Sequence, residues 1–325
     1  MILLSLLLVA MAAGFAYSLG AHYTGACMGM PYAAGAIRLV PALALMAPFV
    51  LLGAVLASGG VETTVGHGIL ASSSVAIPLA LAIVASAFCL TSVYNFVRIP
   101  TSTIQILVFS VVGAGVADGI GIQWRTIETL LGVWAAAPFA ACGLGFLFAR
   151  LLDRRVGAPA ATGRPAAPLA RTAALALVGI GSAASFAMGA NDVANASGSL
   201  VMTGLVGLFL AGLIGGVGMV LGVLTWGRPL LQRVAFDIVR LDARTAAASQ
   251  LAQATVVLVS VSFGYFTSMN QALVGAMIGA GLARSGATVQ RRTVRDILLG
   301  WGVGPVSGAA LGGALVLALR AAHLL

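Results

Sequence analysis

The chain has 325 residues, 60% hydrophobic and only 8% charged, with a mean hydropathy of +1.08. A soluble domain carries about 25% charged residues. A water-soluble globular fold is therefore excluded, and apolar runs recurring from end to end make this an all-α polytopic membrane protein. The net charge of +9 comes from 17 arginines without a lysine, mainly in Arg150–Arg171, Arg228–Arg244 and Arg284–Arg295. That pattern suits cytoplasmic loops and lipid headgroups in a multi-pass protein of the cell's inner (plasma) membrane and argues against nucleic acid as a partner.

Met1 to Leu19 lacks a basic leader and is followed by many equal runs, so it reads as a first transmembrane helix, not a cleaved signal. His22 and Tyr23 follow it; they are possible pathway residues, although a lone histidine at the end of an apolar run is commonly just interfacial. Glu62, His67 and Asp118 lie near run ends, where solvated loop residues are expected. The short runs around Thr101–Gly119 and Ser268–Ala283 are either full spans or re-entrant hairpins. Trp134 and Trp301 read as interfacial or packing aromatics. Between Arg228 and Arg244, Leu231, Ala235, Ile238 and Val239 alternate with polar Gln232, Arg233, Asp237 and Arg240, as in an interfacial amphipathic helix or a polar connection. Cys27, Cys89 and Cys142 have neither metal nor disulfide spacing and read as core residues.

The second half repeats the first. Pro100-Thr101-Ser102-Thr103-Ile104-Gln105 aligns with Phe266-Thr267-Ser268-Met269-Asn270-Gln271 at an offset of 166 residues, and Val112–Ala117 aligns with Ile278–Ala283 at the same offset. Trp134 and Pro138 meet Trp301 and Pro305 at 167, and His22 meets Asn191 at 169. The expected organisation is a first transmembrane repeat at 1–150, an Arg/Pro/Gly-rich cytoplasmic linker at 151–170, and a second repeat at 171–325. Duplicated membrane halves point to a transporter with its site at the repeat interface.

Gly189-Ala190-Asn191-Asp192-Val193-Ala194-Asn195-Ala196 puts a carboxylate and two carboxamides in an otherwise apolar run. A charge at bilayer depth costs about 2.5–3.5 kcal/mol on insertion scales, so such residues face a cavity, a partner or a transported ion. Two further polar clusters are Thr101, Ser102, Thr103 with Gln105, and Thr267, Ser268, Asn270 with Gln271. Each precedes a run of small residues, so both fit N-terminal ends of half-helices, where free N–H groups and hydroxyls suit a small oxyanion. The alternative for any one hydroxyl is that it only caps its own helix.

At these residues the chain resembles the inorganic phosphate transporter (PiT) family of secondary transporters. Gly189–Ala196 carries that family's Gly, Asn, Asp, Ala and Asn signature, and Gly215 to Arg228 and Ala272 to Arg284 are similar to its second half. The resemblance implies two inverted repeats with re-entrant or broken half-helices, a central site, cation-coupled uptake and a homodimer. It carries over Asn191, Asp192 and Asn195 as ion and substrate ligands, Asp192 and Asn195 serving the coupling ion or proton. Ser102, Thr103, Ser268 and Asn270 join them at the substrate, with Gln105 and Gln271 on the pathway where the family has histidine. The first-half Asn-Asp signature is replaced here by His22-Tyr23. With Met28–Ile37, this resembles the family's bacterial sulfate permease branch.

The reading is therefore a permease for an inorganic tetrahedral oxyanion, sulfate narrowly ahead of phosphate, working by alternating access. The alternative is a phosphate symporter using Na⁺ or H⁺, and an anion channel ranks behind both. No enzyme is expected, because no nucleophile–base or metal constellation is present. Beyond the coupling cation, H⁺ or Na⁺, no cofactor is implied; the partners are the oxyanion, membrane lipid and a second copy of the chain.

Overall fold

A computed structural model describes residues 2–97, 101–156, 170–233, 242–284 and 291–325. The described residues form fourteen helices and no strand. The first seven are α1 (Ile2–His22), α2 (Thr24–Ala33), α3 (Leu39–Leu56), α4 (Gly59–His67), α5 (Ile77–Phe96), α6 (Thr103–Asp118) and α7 (Trp124–Val156). The same order of long and short helices returns in α8 (Arg171–Asp192), α9 (Ala194–Met202), α10 (Leu208–Trp226), α11 (Arg228–Arg233), α12 (Ala243–Ser262), α13 (Met269–Leu282) and α14 (Arg291–Ala321). Among the described residues eight stretches are long and apolar enough to cross a membrane, with α1–α2 and α8–α9 each counting as one run of 32 residues.

Several expectations change here. The short runs are not hairpins: α6 and α13 are single helices of 16 and 14 residues. At about 1.5 Å per residue neither covers a hydrocarbon core of about 30 Å. Helix α7 continues through Val156, beyond the boundary drawn at residue 150. Most of the Arg/Pro/Gly linker, Pro100 of the first polar motif, and the 234–241 part of the amphipathic stretch lie outside the described residues. Glu62, expected to be solvated, is completely buried on α4.

Packing interlocks the halves instead of keeping them side by side. Helix α1 lies on α10 and α3 on α8, while α6 lies on α14 and α13 on α7. Glycine makes the crossings possible. A Cβ on Gly20 would strike the Met219 carbonyl, and one on Gly189 the Val50 carbonyl. Gly53 faces the Phe186 carbonyl and Gly222 the Tyr17 carbonyl in the same way. Every member of these pairs maps onto its counterpart at an offset of 169. Small residues let backbones approach closely where no hydrophobic force drives helices together.

Ion pairs repeat with their signs exchanged. Asp118 at the end of α6 takes Arg320 of α14 at 2.9 Å, whereas Arg284 after α13 takes Asp153 of α7. Arg284 also reaches Asp242 at 2.5 Å and the Thr245 hydroxyl at 2.8 Å. Asp242 caps α12, accepting from the N–H groups of Arg244 and Thr245 at 3.0 and 3.3 Å. Partial burial disfavours its charge, but hydrogen bonds from Arg284 and Thr245 outweigh that and hold the carboxyl below its usual value. The ordinary carboxylate value is about 3.9, so this stabilisation is complete above it and disappears as pH falls through the lowered value.

Gly222→Val should push α1 and α10 apart and cost 1–3 kcal/mol or more, read as a lower melting temperature in detergent. Gly179→Ala on α8, where a Cβ meets nothing within 4 Å, should be neutral or stabilising. On acidification, wild type should lose more thermal stability between about pH 5 and about pH 3 than Asp242→Asn does, because only the wild type gives up an ionised cap there.

Candidate functional site

Two backbone segments, at the N-ends of α6 and α13, have groups that no helix satisfies. Asn191, at the end of α8, fits the second one with both ends of its carboxamide. Its Nδ2 donates to the Thr267 carbonyl at 2.8 Å, and its Oδ1 accepts from the Thr267 N–H at 3.0 Å. In the first half His22 holds Thr101 at the related position. Asn95 on α5 donates to the Ser18 carbonyl and hydroxyl, both at 2.8 Å, which turns its Oδ1 toward His22 Nδ1 at 2.5 Å. Nδ1 is thereby the donor, and Nε2 faces the Thr101 backbone, 3.4 Å from its N–H and 3.3 Å from its carbonyl. An imidazole lacks the second function of the carboxamide. Asn270 supplies it, donating from Nδ2 to the Thr101 carbonyl at 3.0 Å while lying 3.3 Å from His22 Nε2.

The halves are tied at two further points, the Thr103 hydroxyl and the paired glutamines. The hydroxyls of Tyr23 and Thr103 are 2.7 Å apart, and Asn195 Nδ2 lies 3.5 Å from the same Thr103 oxygen. Gln271 Nε2 donates to Gln105 Oε1 at 3.3 Å, joining the two repeat-related glutamines to each other. Both glutamines, with Trp134 and Trp301, line a cavity of about 370 Å³. Trp134 donates from its ring N–H to the Phe266 carbonyl at 3.0 Å, fixing the chain that enters α13.

What remains unpaired defines the chemistry. Both Asp192 oxygens, Asn195 Oδ1 and Gln271 Oε1 are buried without a hydrogen-bond partner, as are the hydroxyls of Thr101, Ser102 and Thr267. Each such group costs about 1–3 kcal/mol unless a ligand satisfies it. Free hydroxyl donors suit an anion, and the carboxylate with carboxamide oxygens suits a cation or proton. Among the described residues no cationic side chain pairs with Asp192; its polar neighbours are Tyr23 and Asn191.

All eleven residues singled out from the sequence are buried in this region. Their states differ. Ser268 caps α13, accepting from the Gln271 N–H at 3.4 Å, while Ser102 at the same position of α6 caps nothing. Asn270 spends its amide nitrogen on Thr101 and His22, and Asn191 spends both ends on Thr267, so both brace the site. His22 is interior, not interfacial. Thr101 and Thr267 were legible as parts of polar clusters, but their backbone role was not. Asn95 carried a signal of its own, a carboxamide inside an apolar span.

Residues 19–312 match the model of the phosphate transporter family (PHO4). The chain belongs to this family. Relatives include the sulfate permease CysP of Bacillus subtilis, 29% identical over 90% of this chain and 81% of that protein. A putative phosphate permease of Chlamydia muridarum is 32% identical over 53% of this chain and 42% of its own length. The sodium-dependent phosphate transporter 1-B of Danio rerio is 35% identical over 38% of this chain and 20% of its own. A solved structure described as the sodium-dependent phosphate transporter superposes with a TM-score of 0.84, covering 98% of this chain and 99% of that one at 21% identity. That likeness establishes the polytopic all-α fold. The protein is a multi-pass membrane transporter of the phosphate/sulfate type and not an enzyme.

His22→Asn should preserve folding, since a carboxamide already fills the equivalent position against Thr267. His22→Ala leaves the Thr101 N–H and Asn95 Oδ1 unpaired and should cost about 1–3 kcal/mol of stability in thermal denaturation.

Proposed function

We propose that the protein carries sulfate across the plasma membrane in symport with a cation, by alternating exposure of the site between its two halves. The observation that carries this reading is the asymmetry of the core. Asp192 has no partner carboxylate at the related position, where Tyr23 instead places a hydroxyl 2.7 Å from Thr103. Sulfate at neutral pH has no proton to give a carboxylate and is repelled by one; phosphate keeps a proton and can donate it. A site with one carboxylate and several free hydroxyls therefore favours the fully ionised anion. The Bacillus sulfate permease, similar over 90% of the chain, supports the same choice.

In this reading Thr101, Ser102, Thr103 and Thr267 hold the anion, joined by the hydroxyl proton of Ser268. Asp192 and Asn195 take the coupling cation, H⁺ or Na⁺. Asn191, His22 and Asn270 fix the half-helix ends, and Gln105 and Gln271 line the way in. The working unit is a homodimer, an expectation that comes from the family resemblance and is checked by mass measurement in detergent. Phosphate symport is the second reading, favoured by the putative phosphate permeases among the relatives.

Radiolabelled sulfate uptake into proteoliposomes should saturate and be inhibited by unlabelled sulfate more strongly than by phosphate. Inhibition by phosphate alone would replace the substrate, and uptake that does not saturate would remove the carrier. Asp192→Asn should leave the protein folded and reduce cation-driven uptake by at least tenfold; normal coupled uptake in that variant would make Asp192 structural.

A further inference from the structure

A second acid is buried in the fold, and the site described above does not use it. Glu62 sits on α4 with no exposed surface. Its Oε1 accepts from the Ser197 hydroxyl at 2.5 Å, and its Oε2 has no partner. Ser197 belongs to α9, two residues beyond Asn195. Its single hydroxyl proton has two acceptors within reach, Glu62 Oε1 and the Val193 carbonyl at 3.0 Å. Val193 is the residue that separates α8 from α9, directly after Asp192.

The repeat provides an internal control. At the offset of 169, Glu62 corresponds to Leu231 on α11 and Ser197 to Met28 on α2, both fully buried. An apolar pair therefore meets the packing requirement of this helix contact in the other half. The acid–hydroxyl pair appears only where α4 meets the helix carrying the ion and substrate ligands.

We propose that Glu62 is a second proton-binding carboxylate of the transport cycle, acting on the site through Ser197 and the helix break at Val193. This inference rests on the transport reading above. With Glu62 ionised, the charge draws the Ser197 proton to Oε1 and leaves the Val193 carbonyl less well bonded. A proton arriving at Oε2 neutralises the carboxylate and weakens the Ser197 bond, since charge-assisted hydrogen bonds are about twice as strong as neutral ones. The Ser197 hydroxyl, keeping its proton, then turns its hydrogen bond to the Val193 carbonyl and tightens the α8–α9 junction that carries Asp192 and Asn195. No covalent bond other than the O–H of Glu62 is made or broken.

The surroundings suit a group that titrates alone. Among the described residues, α9 and α10, which pack on α4, carry no titratable side chain. Helix α12 carries Arg244 in its first turn, 3.9 Å from Asp153. The loop held by Thr64 carries Tyr265, and α4 itself ends in exposed His67. Glu62 lies outside the eight candidate spans of the described residues, and burial lifts its carboxyl to about 7 against the weaker opposing influence of the Ser197 and Ser58 hydroxyls nearby. A raised value means the folded protein gains stability from the bound proton, fully below about pH 4 and lost as pH rises through 7.

The test is radiolabelled sulfate and phosphate uptake by wild type, Glu62→Gln and Ser197→Ala in proteoliposomes, from about pH 5 to about pH 9. Gln imitates the protonated acid, so Glu62→Gln should lose the wild-type step near pH 7 and transport at all pH values within about threefold of the wild-type acid limit. Ser197→Ala should flatten the same step. An unchanged profile in Glu62→Gln overturns the proposal. So does a folded Glu62→Gln that is inactive at every pH, because a protonation mimic must retain the acid-limb activity. Glu62→Leu, which copies Leu231 of the other half, serves if the glutamine variant does not fold, and should likewise show no step. Wild-type liposomes that take up neither anion would instead refute the transport reading itself.

Discussion

The whole structure depends on how four backbone groups are satisfied away from water: the N–H and C=O of Thr101 and of Thr267. They sit where α6 and α13 begin, short of a full span, and hydrocarbon offers them nothing. Asn191 answers one pair with a single carboxamide. His22, held by Asn95, and Asn270 answer the other between them. Because the answering side chains stand at the ends of α8 and α1, each half-helix of one kind is locked to a break in a long helix. The same locking leaves the remaining polar atoms without partners and so creates the site.

The glycine crossings make this geometry affordable on both sides at once. With α1 against α10 and α3 against α8, each long broken helix is braced by the opposite half. The ends of α1 and α8, where His22 and the Asn-Asp signature stand, are thereby each packed against the opposite half. The sign-exchanged pairs Asp118–Arg320 and Arg284–Asp153 tie the far ends of α6 and α13 to the long helices beside them.

Within this near-symmetric frame the two halves differ at a few buried core positions. Tyr23 stands at the position related to Asp192, and Ser102 caps nothing where Ser268 caps α13. Glu62 and Ser197 replace what is Leu231 and Met28 on the other side.

Much of this was legible in the sequence. Asp192 stood out because an ionised carboxylate is costly in an apolar run, and the duplication showed because polar residues recur at nearly constant spacing against a uniform background. Composition and the apolar runs determined the membrane class, and these two signals determined the paired clusters and pointed to the family. Hydropathy could not say that α9 would fold over Glu62, so an acid near a run end read as solvated. It could not say that His22 turns inward, because the Asn95 that holds it is 73 positions away. Nor could it separate Ser102 from Ser268, or assign Asn270 to bracing, since capping and carboxamide pairing depend on distances of a few tenths of an ångström. The sequence by itself determined which groups must be satisfied inside a membrane; only the tertiary structure decided which of them satisfy one another and which remain free for a ligand, because hydrogen bonding is short-ranged and its partners lie far apart along the chain.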